Sequence, residues 1–288
     1  MHEPDRESDP LSGPGEVASP SLVTAADTMT LEQARGLSGR RGARLVLLMG
    51  EAGSGKTTLL ATLWERLLES GELAGHGLAG SRTALGFERR AHWQRLEARS
   101  AEPAPPATEP AEAFLHLRIR RPDGKLIELL LSDLAGAQFE PVREGRSSLA
   151  GLPGAARVDR AIVVVDGATL GVQGHSEVAV TRAERLLFAL QTGGAFRDTA
   201  RIALVVTKAD AVAEAGERAL ARHEVPLATL ARQTDPEATW IRTAALAADG
   251  GPQGLGALLS WLCIDDRPRE PARASEVASA RSIASFRA

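Results

Sequence analysis

The sequence is poor in several residue types, and each shortage argues against a class of site. Its 288 residues include a single cysteine, Cys263, so the chain forms no internal disulfide and builds no zinc site from cysteines alone. Tyrosine is absent and aromatic residues amount to 3% of the chain, so we do not expect aromatic stacking to dominate ligand recognition. Cys263 lies in the apolar stretch LLSWLCI, where a core position is expected.

Excess charge and long apolar runs are missing as well. A formal net charge of -3 provides no general attraction to nucleic acid or to an anionic membrane. No apolar run approaches the roughly 18 residues that a membrane-spanning helix requires. The acidic start MHEPDRESDP has no apolar segment of the secretory kind. We therefore expect a cytoplasmic protein with no membrane span and no nucleic-acid partner.

The remaining composition fits a folded domain between two polar tails. Apolar residues make up 43% of the chain, whose length is sufficient to bury a substantial core. Residues 1–40 are rich in Ser, Pro, Gly and acidic side chains and are predicted to form a disordered tail, with room for a short helix near Thr30 to Leu37. Residues 266–288 are rich in Arg, Ala and Ser and are predicted to form a second disordered tail.

A glycine-rich loop opens the central domain. The apolar run 45–49 leads into GEAGSGKTT at residues 50–58, and leucines at helical spacing follow. The loop fills the pattern G-x-x-x-x-G-K-S/T in the strand–loop–helix context that this pattern requires. Backbone N–H groups at such a helix N-terminus can cradle a triphosphate, the lysine adds a mobile positive charge, and the threonine hydroxyl can ligate Mg²⁺. The predicted phosphate-binding residues are Gly50, Gly53, Ser54, Gly55, Lys56, Thr57 and Thr58.

Strands and helices alternate through the rest of the central domain. Uninterrupted Val, Ile and Leu strands between helical segments indicate a mostly parallel sheet that is covered on both faces. A turn at Pro122-Asp123-Gly124 joins two strands into an antiparallel hairpin. The predicted fold is therefore α/β, with a mostly parallel six-stranded sheet and one antiparallel hairpin strand at its edge. The six predicted strands are 45–49, 114–119, 126–131, 161–165, 202–206 and 239–242.

Polar clusters follow three of these strands at their C-terminal ends, where ligands of open α/β sheets bind. They are Asp133-Leu134-Ala135-Gly136, Thr207-Lys208-Ala209-Asp210 and Thr243-Ala244-Ala245. A carboxylate at Asp133 can help to hold Mg²⁺ opposite the phosphate loop, and Gly136 leaves its N–H open to a terminal phosphate. Asp210 can accept two N–H groups that guanine presents and adenine does not, so it is expected to select the base.

In this order the motifs resemble those of a translation-factor-related (TRAFAC) class P-loop GTPase with a Ras-like G domain, over about residues 43–265. The stretch AGSRTALGFERRAHWQRL, residues 79–96, together with the D-L-A-G strand end, is similar to one member of the bacterial double-GTPase pairs. The resemblance implies a GTPase domain at 41–265 with an insertion at about 71–111 around the first switch. It further implies GTP and GDP as nucleotides, Mg²⁺ as cofactor, and GTP hydrolysis as the activity of a molecular switch. The implied partner is a second GTPase or another subunit of an operon-encoded bacterial system, with an expected role in defence.

The resemblance also implies roles for single residues. Lys208 would lie along the base, Thr207 would tie the loops together, and the Ala244 N–H would reach the guanine carbonyl oxygen. Thr243 and Ala245 complete that loop. The metal would be held by Thr57, Asp133 and a first-switch residue, for which Thr83 is the first choice and Ser81 and Thr108 are alternatives. The residues assigned to catalysis are Lys56, Gly136 and Gln138.

One position departs from the family pattern. Many Ras-like proteins place a Gln directly after the D-x-x-G glycine to orient the attacking water, and this chain has Ala137 there. Gln138, Glu140 or a partner would then supply that group, or hydrolysis would be slow. Three arginines near the first switch are candidates for arginine fingers, in the same chain or across a dimer, or they form a charged solvent face. These are Arg82, Arg89 and Arg90.

Two further hypotheses stay open at this stage. A nucleotide-dependent interaction module would bind GTP with little hydrolysis and recruit a partner, and Ala137 favours it. A P-loop ATPase or small-molecule kinase would require the Thr207-Lys208-Ala209-Asp210 cluster to be accidental, and the sequence shows no lid with clustered basic residues.

Overall fold

The computed structural model describes residues 26–97, 114–170, 172, 174–192, 200–212, 214–245 and 251–265. In this part of the chain eight strands form one sheet, and helices cover both of its faces. The strands are β1 (Arg44–Met49), β2 (Glu72–Leu73), β3 (His76–Gly80), β4 (Phe114–Arg120), β5 (Leu126–Ser132), β6 (Arg160–Asp166), β7 (Arg201–Thr207) and β8 (Thr239–Arg242). The helices are α1 (Leu31–Arg41), α2 (Lys56–Ser70), α3 (Ala84–Glu97), α4 (Glu140–Arg143), α5 (Gly167–Leu170), α6 (Ser176–Thr192), α7 (Glu214–Thr234) and α8 (Leu255–Cys263).

The sheet has the strand order β2-β3-β4-β5-β1-β6-β7-β8. Neighbours from β5 to β8 are parallel, whereas β2, β3, β4 and β5 pair antiparallel. The predicted mostly parallel sheet with an antiparallel hairpin, β4 and β5, is thereby confirmed. The predicted count of six strands is wrong, because β2 and β3 extend the sheet beyond β4, which is not an edge strand. The β3 sequence HGLAG carries glycines and no alternation, so main-chain pairing with β4 sets its conformation without a side-chain pattern.

Two apolar layers form the core, one on each face of the sheet. All six residues of β1 are buried, as expected of a parallel strand that is covered on both sides. One layer packs under α1, α6 and α7, and the other packs under α2, α3 and α8. Cys263 belongs to the second layer with 1% exposure, and burial raises the pKa of its thiol to about 11, so it is a core residue as predicted.

The carboxyl ends of the parallel strands meet at one edge of the sheet. This follows from the parallel pairing of β5, β1, β6, β7 and β8 in that spatial order. The phosphate loop leaves β1 at this edge, and the three polar clusters follow β5, β7 and β8 there. The fold therefore assembles in one place the groups that lie far apart along the chain.

Helix α1 lies inside the segment 1–40 that composition assigned to a tail. Its first turn is closed by a capping box, since the Gln33 N–H donates to the Thr30 hydroxyl and the Thr30 N–H donates to the Gln33 side chain. Ala34 and Leu37 are buried against the layer below. The packed part of the chain therefore starts before residue 41, and the expected short helix is longer than predicted.

The segment predicted as an insertion, about 71–111, contributes β2, β3 and α3 to the described structure. Residues 98–113, which include Thr108 and the proline-rich stretch, lie outside the described residues. The same holds for residues 1–25 and for the predicted tail 266–288. Among the described helices, none combines the length and the apolarity that crossing a membrane requires.

Candidate functional site

The phosphate loop ends in a sharp turn that starts α2. Gly55 caps the helix with φ 87°, a left-handed conformation that only glycine adopts without strain. Inside the loop, the Ser54 N–H and hydroxyl both donate to the Glu51 carbonyl oxygen, at 3.3 and 2.9 Å. The first amides of α2, at Lys56 and Thr57, have no acceptor within the helix and are free to meet an anion.

Lys56 lies folded over this loop. Its Nζ donates to the carbonyl oxygens of Gly50 at 2.9 Å and Glu51 at 2.6 Å, and the residue is 6% exposed. Burial lowers the pKa of Lys56 to about 8, against the opposing influence of Asp133 and Glu51. A phosphate group would supply the charge that this buried ammonium lacks.

Thr57 and Asp133 bring two hard oxygen atoms together. The Thr57 hydroxyl donates to Asp133 Oδ1 at 3.2 Å, and Asp133 is 4% exposed. A hydroxyl and a carboxylate fit Mg²⁺, which is usually held by one or two protein oxygens plus phosphates and waters. The described residues contain no group of three or more His, Cys, Asp or Glu side chains that could hold a metal without such help.

Asp133 has a second partner that the sequence did not single out for it. Arg90 Nε on α3 donates to Asp133 Oδ2 at 2.6 Å, and the two side chains are 6% and 3% exposed. One carboxylate oxygen therefore faces Thr57 and the other is bound by a guanidinium group. The predicted magnesium carboxylate is thus already paired with a buried positive charge.

Gly136 packs directly against the phosphate loop. A Cβ at this position would overlap the backbone of Glu51 and Ala52, so no other residue fits without displacing the loop. A short 3-10 turn, Gly136–Phe139, follows and leaves Ala137 exposed. Gln138 is half-buried in this turn, and its N–H donates to the Ala135 carbonyl oxygen at 2.9 Å.

A pair of arginines binds the acidic residue of the phosphate loop. Arg143, the last residue of α4, and Arg182 on α6 each bind one carboxylate oxygen of Glu51. The side chains are 15%, 40% and 28% exposed, in the order Arg143, Arg182, Glu51, so the pair is partly screened by solvent. These contacts hold the segment after Gly136 against the phosphate loop.

The cluster after β7 is tied to the same loop. The Thr207 hydroxyl donates to the Ser54 carbonyl oxygen at 2.6 Å, and Lys208 Nζ donates to the Gly53 carbonyl oxygen at 2.8 Å. Lys208 also binds Asp166 at 3.2 Å and has φ 50°, which is a strained value for a non-glycine residue. The structure therefore brings Thr207 and Lys208 to the phosphate loop.

The loop after β8 completes this side of the crevice. The Thr243 N–H donates to the Val206 carbonyl oxygen at 2.7 Å, and the Ala209 N–H donates to the Thr243 carbonyl oxygen at 3.0 Å. Ala209 is the residue before Asp210, so the two loops are joined by main-chain hydrogen bonds. Asp210 itself is exposed and hydrogen-bonds to no described residue.

The backbone of Ala244 differs from its predicted role. Its N–H donates to the Gln253 carbonyl oxygen at 3.2 Å, and the Gln253 N–H returns a bond of 2.9 Å. In this conformation the Ala244 amide is not available to a guanine carbonyl oxygen. The next amide, of Ala245, donates to no described residue and is the one that this loop offers.

The structure does not bring Thr83 to the phosphate site. Thr83 is 0% exposed, and its hydroxyl accepts the His116 N–H at 2.8 Å. Ser81 is buried as well and donates to the His116 carbonyl oxygen at 2.7 Å. Position in sequence suggested a mobile loop here, but β3 and α3 pack this segment into the sheet, so both hydroxyls serve the fold.

Three contacts of the site escaped the sequence analysis, namely Arg90 to Asp133, the arginine pair on Glu51, and Asp166 to Lys208. For Arg90 a signal was available. It follows Phe87 by three residues and precedes Ala91, and all three lie on the buried face of α3. The spacing predicts a buried arginine, which requires a carboxylate partner. Nothing in the sequence pointed to Glu51, because its partners come from two other helices.

The sheet order, the phosphate loop and the clusters at the strand ends define the class of protein, a P-loop GTPase with a Ras-like G domain. A family model described as Double-GTPase 2 matches residues 44–262, and the chain belongs to this family. None of the curated proteins compared with the chain matches it.

Solved structures with similar folds include three nucleotide-related proteins. The signal recognition particle receptor SRb-GTP/SRX complex from Chaetomium thermophilum is 16% identical over 76% of this chain and 97% of the other, with a TM-score of 0.43. The mammalian SRP receptor is 15% identical over 76% and 98%, with a TM-score of 0.41. The elongation factor SelB from Methanococcus maripaludis, in its apo form, is 17% identical over 76% of this chain and 34% of that chain, with a TM-score of 0.39.

Proposed function

We propose that this GTPase-family protein binds GTP and GDP with Mg²⁺ in the crevice between the phosphate loop and Asp210, and hydrolyses GTP to GDP and phosphate. The observation that carries the proposal is the pair of bonds from Thr207 and Lys208 to the carbonyl oxygens of Ser54 and Gly53. Through them a cluster suited to guanine selection is fixed beside a loop suited to phosphate binding.

The chain's own residues divide the work as follows. Lys56 and the first amides of α2 hold the phosphates, and Asp210 accepts the guanine N–H groups. Thr57 and Asp133 are the residues that would hold Mg²⁺, which neutralises charge on the outer phosphates when bound. Gly136 lies where its N–H can sense a terminal phosphate, since it already touches the phosphate loop.

Hydrolysis requires a water held in line with the bond to be broken. The water oxygen forms a bond to the γ-phosphorus, the bond from phosphorus to the β–γ bridging oxygen breaks, and GDP leaves. Ala137 offers only a methyl group for this task, so Gln138 in the next position is our candidate for orienting the water. A binding module with little intrinsic hydrolysis is the second candidate function, favoured by the exposed Ala137.

The proposed cellular role is that of a molecular switch. Contacts to the γ-phosphate would favour one arrangement of the segment after Gly136, and loss of that phosphate would release it. A partner GTPase, encoded together with this chain in a bacterial system, would respond to the switch and supply groups that the chain lacks. The proposal also retains a cytoplasmic location.

Titration with fluorescent GTP and ATP tests nucleotide choice. We expect tight GTP binding and a preference over ATP of at least about a hundredfold, because a site built for the guanine N–H groups leaves Asp210 unpaired with adenine. Asp210→Asn should remove most of this preference, whereas Asp123→Asn at the hairpin tip should leave it unchanged. Preference for ATP in the unmodified protein would overturn the proposal.

Single-turnover hydrolysis separates the two candidate functions. The protein is loaded with GTP, and phosphate release is followed alone and with the partner GTPase. Hydrolysis that Gln138→Ala slows by about tenfold or more, within the usual contribution of a positioning group, supports the switch with its own water-orienting residue. Hydrolysis that stays negligible in both conditions supports the binding module.

A further inference from the structure

The segment between α2 and β4 reaches the phosphate side through Arg90. Its Nε binds Asp133 Oδ2 at 2.6 Å, and its Nη1 donates to the Gly86 carbonyl oxygen at 2.9 Å, so the guanidinium group is held by two partners. Both members of the ion pair are almost fully buried, at 6% and 3% exposure. Thr83, by contrast, is turned into the core.

Helix α3 holds Arg90 in a fixed place. Phe87, one turn earlier, stacks on Trp64 of α2 with ring centroids 4.9 Å apart. The Trp64 Nε1–H donates to Glu88 at 2.7 Å, and Gln94 donates to the Thr62 hydroxyl at 3.1 Å. The positive charge is therefore carried by a packed helix and not by a mobile loop.

The charge of Asp133 is divided between two directions. Oδ1 meets the Thr57 hydroxyl at 3.2 Å, on the side where a metal fits, while Oδ2 is bound by Arg90. In a site of low polarity a guanidinium group beside the carboxylate reduces the negative charge that attracts a second cation. The same fixed charge attracts an anionic triphosphate, whether or not a metal accompanies it.

On the basis of the proposed GTP site, we propose that Arg90 is a fixed countercharge that competes with Mg²⁺ for Asp133 and makes nucleotide binding less dependent on Mg²⁺. Arg90 acts as a positioning residue through Asp133 and on the charge of the site. Two consequences have opposite signs. Removing the charge should strengthen Mg²⁺ binding to the nucleotide complex and weaken nucleotide binding in the absence of Mg²⁺.

The opposite signs distinguish this role from a structural ion pair. If Arg90 only held the fold, its loss would lower nucleotide affinity by a similar factor with and without Mg²⁺. Competition for Asp133 instead widens the ratio of the two affinities. Because the effects of metal and nucleotide on each other are reciprocal, the Mg²⁺ titration and the nucleotide titration must agree.

The experiment measures equilibrium binding of fluorescent GDP in excess Mg²⁺ and in EDTA, and the Mg²⁺ concentration for half-maximal stabilisation of the complex. For Arg90→Gln we expect that Mg²⁺ concentration to fall about tenfold and the affinity in EDTA to fall about tenfold, a coupling of ordinary size. Arg89→Gln is the matched control, since Arg89 is 60% exposed and pairs with Asp27. It should behave like the unmodified protein.

Arg90→Lys keeps the charge on the same helix but loses the planar donor, so it should shift both quantities in the same direction by a smaller factor. Should Arg90→Gln fail to fold, as shown by loss of a cooperative unfolding transition, Arg90→Lys decides. An equal loss of affinity in both conditions, or an unchanged Mg²⁺ midpoint, overturns the inference. Failure of the unmodified protein to bind GDP would overturn the proposed function instead, so the two failures are distinguishable.

Discussion

Two segments flank the phosphate loop, and they are held in different ways. The first, residues 81–97, is packed into the core: Thr83, Phe87 and Ala91 are all 0% exposed. The second, residues 134–151, consists of short turns and the four-residue helix α4, and Arg143 binds it to Glu51 at partial exposure. The first segment is thus part of the folded layer, and the second is attached to the surface of the site.

The difference indicates which segment can respond to nucleotide. Opening the first would expose buried apolar side chains and break the buried pair of Arg90 and Asp133, and removing one partner of such a pair costs about 3–5 kcal/mol. Opening the second would break partly exposed ion pairs, each worth about 0–1 kcal/mol. Segments of low local stability are the ones that move in switching. We expect the second segment, after Gly136, to be the mobile one.

The largest effect is expected from Phe87→Ala, which attacks the first segment at its core. Loss of a buried phenylalanine that stacks on Trp64 should lower the free energy of unfolding by about 3–5 kcal/mol. Denaturant titration measures this loss. Leu85→Ala is the control, since Leu85 on the same helix is 41% exposed and should change stability little. Equal effects of both substitutions would show that α3 is not part of the core.

A smaller effect is expected from Thr83→Val, which removes the hydroxyl and preserves the shape of the side chain. The His116 N–H then loses its acceptor, so the free energy of unfolding should fall by about 1–3 kcal/mol. The Mg²⁺ concentration needed for nucleotide binding should stay the same. If instead the Mg²⁺ requirement rose and stability did not change, Thr83 would be a mobile metal ligand, and the comparison of the two segments would be reversed.

The smallest effect on stability is expected from Glu51→Gln, which releases Arg143 and Arg182. Because these pairs are partly exposed, the free energy of unfolding should change by about 1 kcal/mol or less. Amide hydrogen exchange should nevertheless become faster in residues 134–151 and stay unchanged in 81–97. Glu69→Gln on α2, which removes an exposed pair with Arg66, is the control for a general charge effect. Faster exchange in both segments would contradict the division.

The comparison also shows where prediction from sequence succeeded and where it failed. The phosphate loop and the cluster at Thr207 and Lys208 were identifiable because each is a short motif whose function depends on local backbone geometry. Strand β3 and the burial of Thr83 were not, because pairing with β4 and the contact with His116 link segments more than 30 residues apart. A Gly-rich stretch without alternation carries no pattern from which that pairing could be inferred.

The sequence by itself determined the class of the protein. The order of its motifs, the apolar parallel strands and the loop before Lys56 indicate a P-loop GTPase, since these features depend on residues that are neighbours in the chain. Only the tertiary structure decided which charges meet. Arg90 pairs with Asp133 and Glu51 with Arg143 because helices from distant parts of the chain pack beside one loop, and the partner of a buried charge is set by that packing.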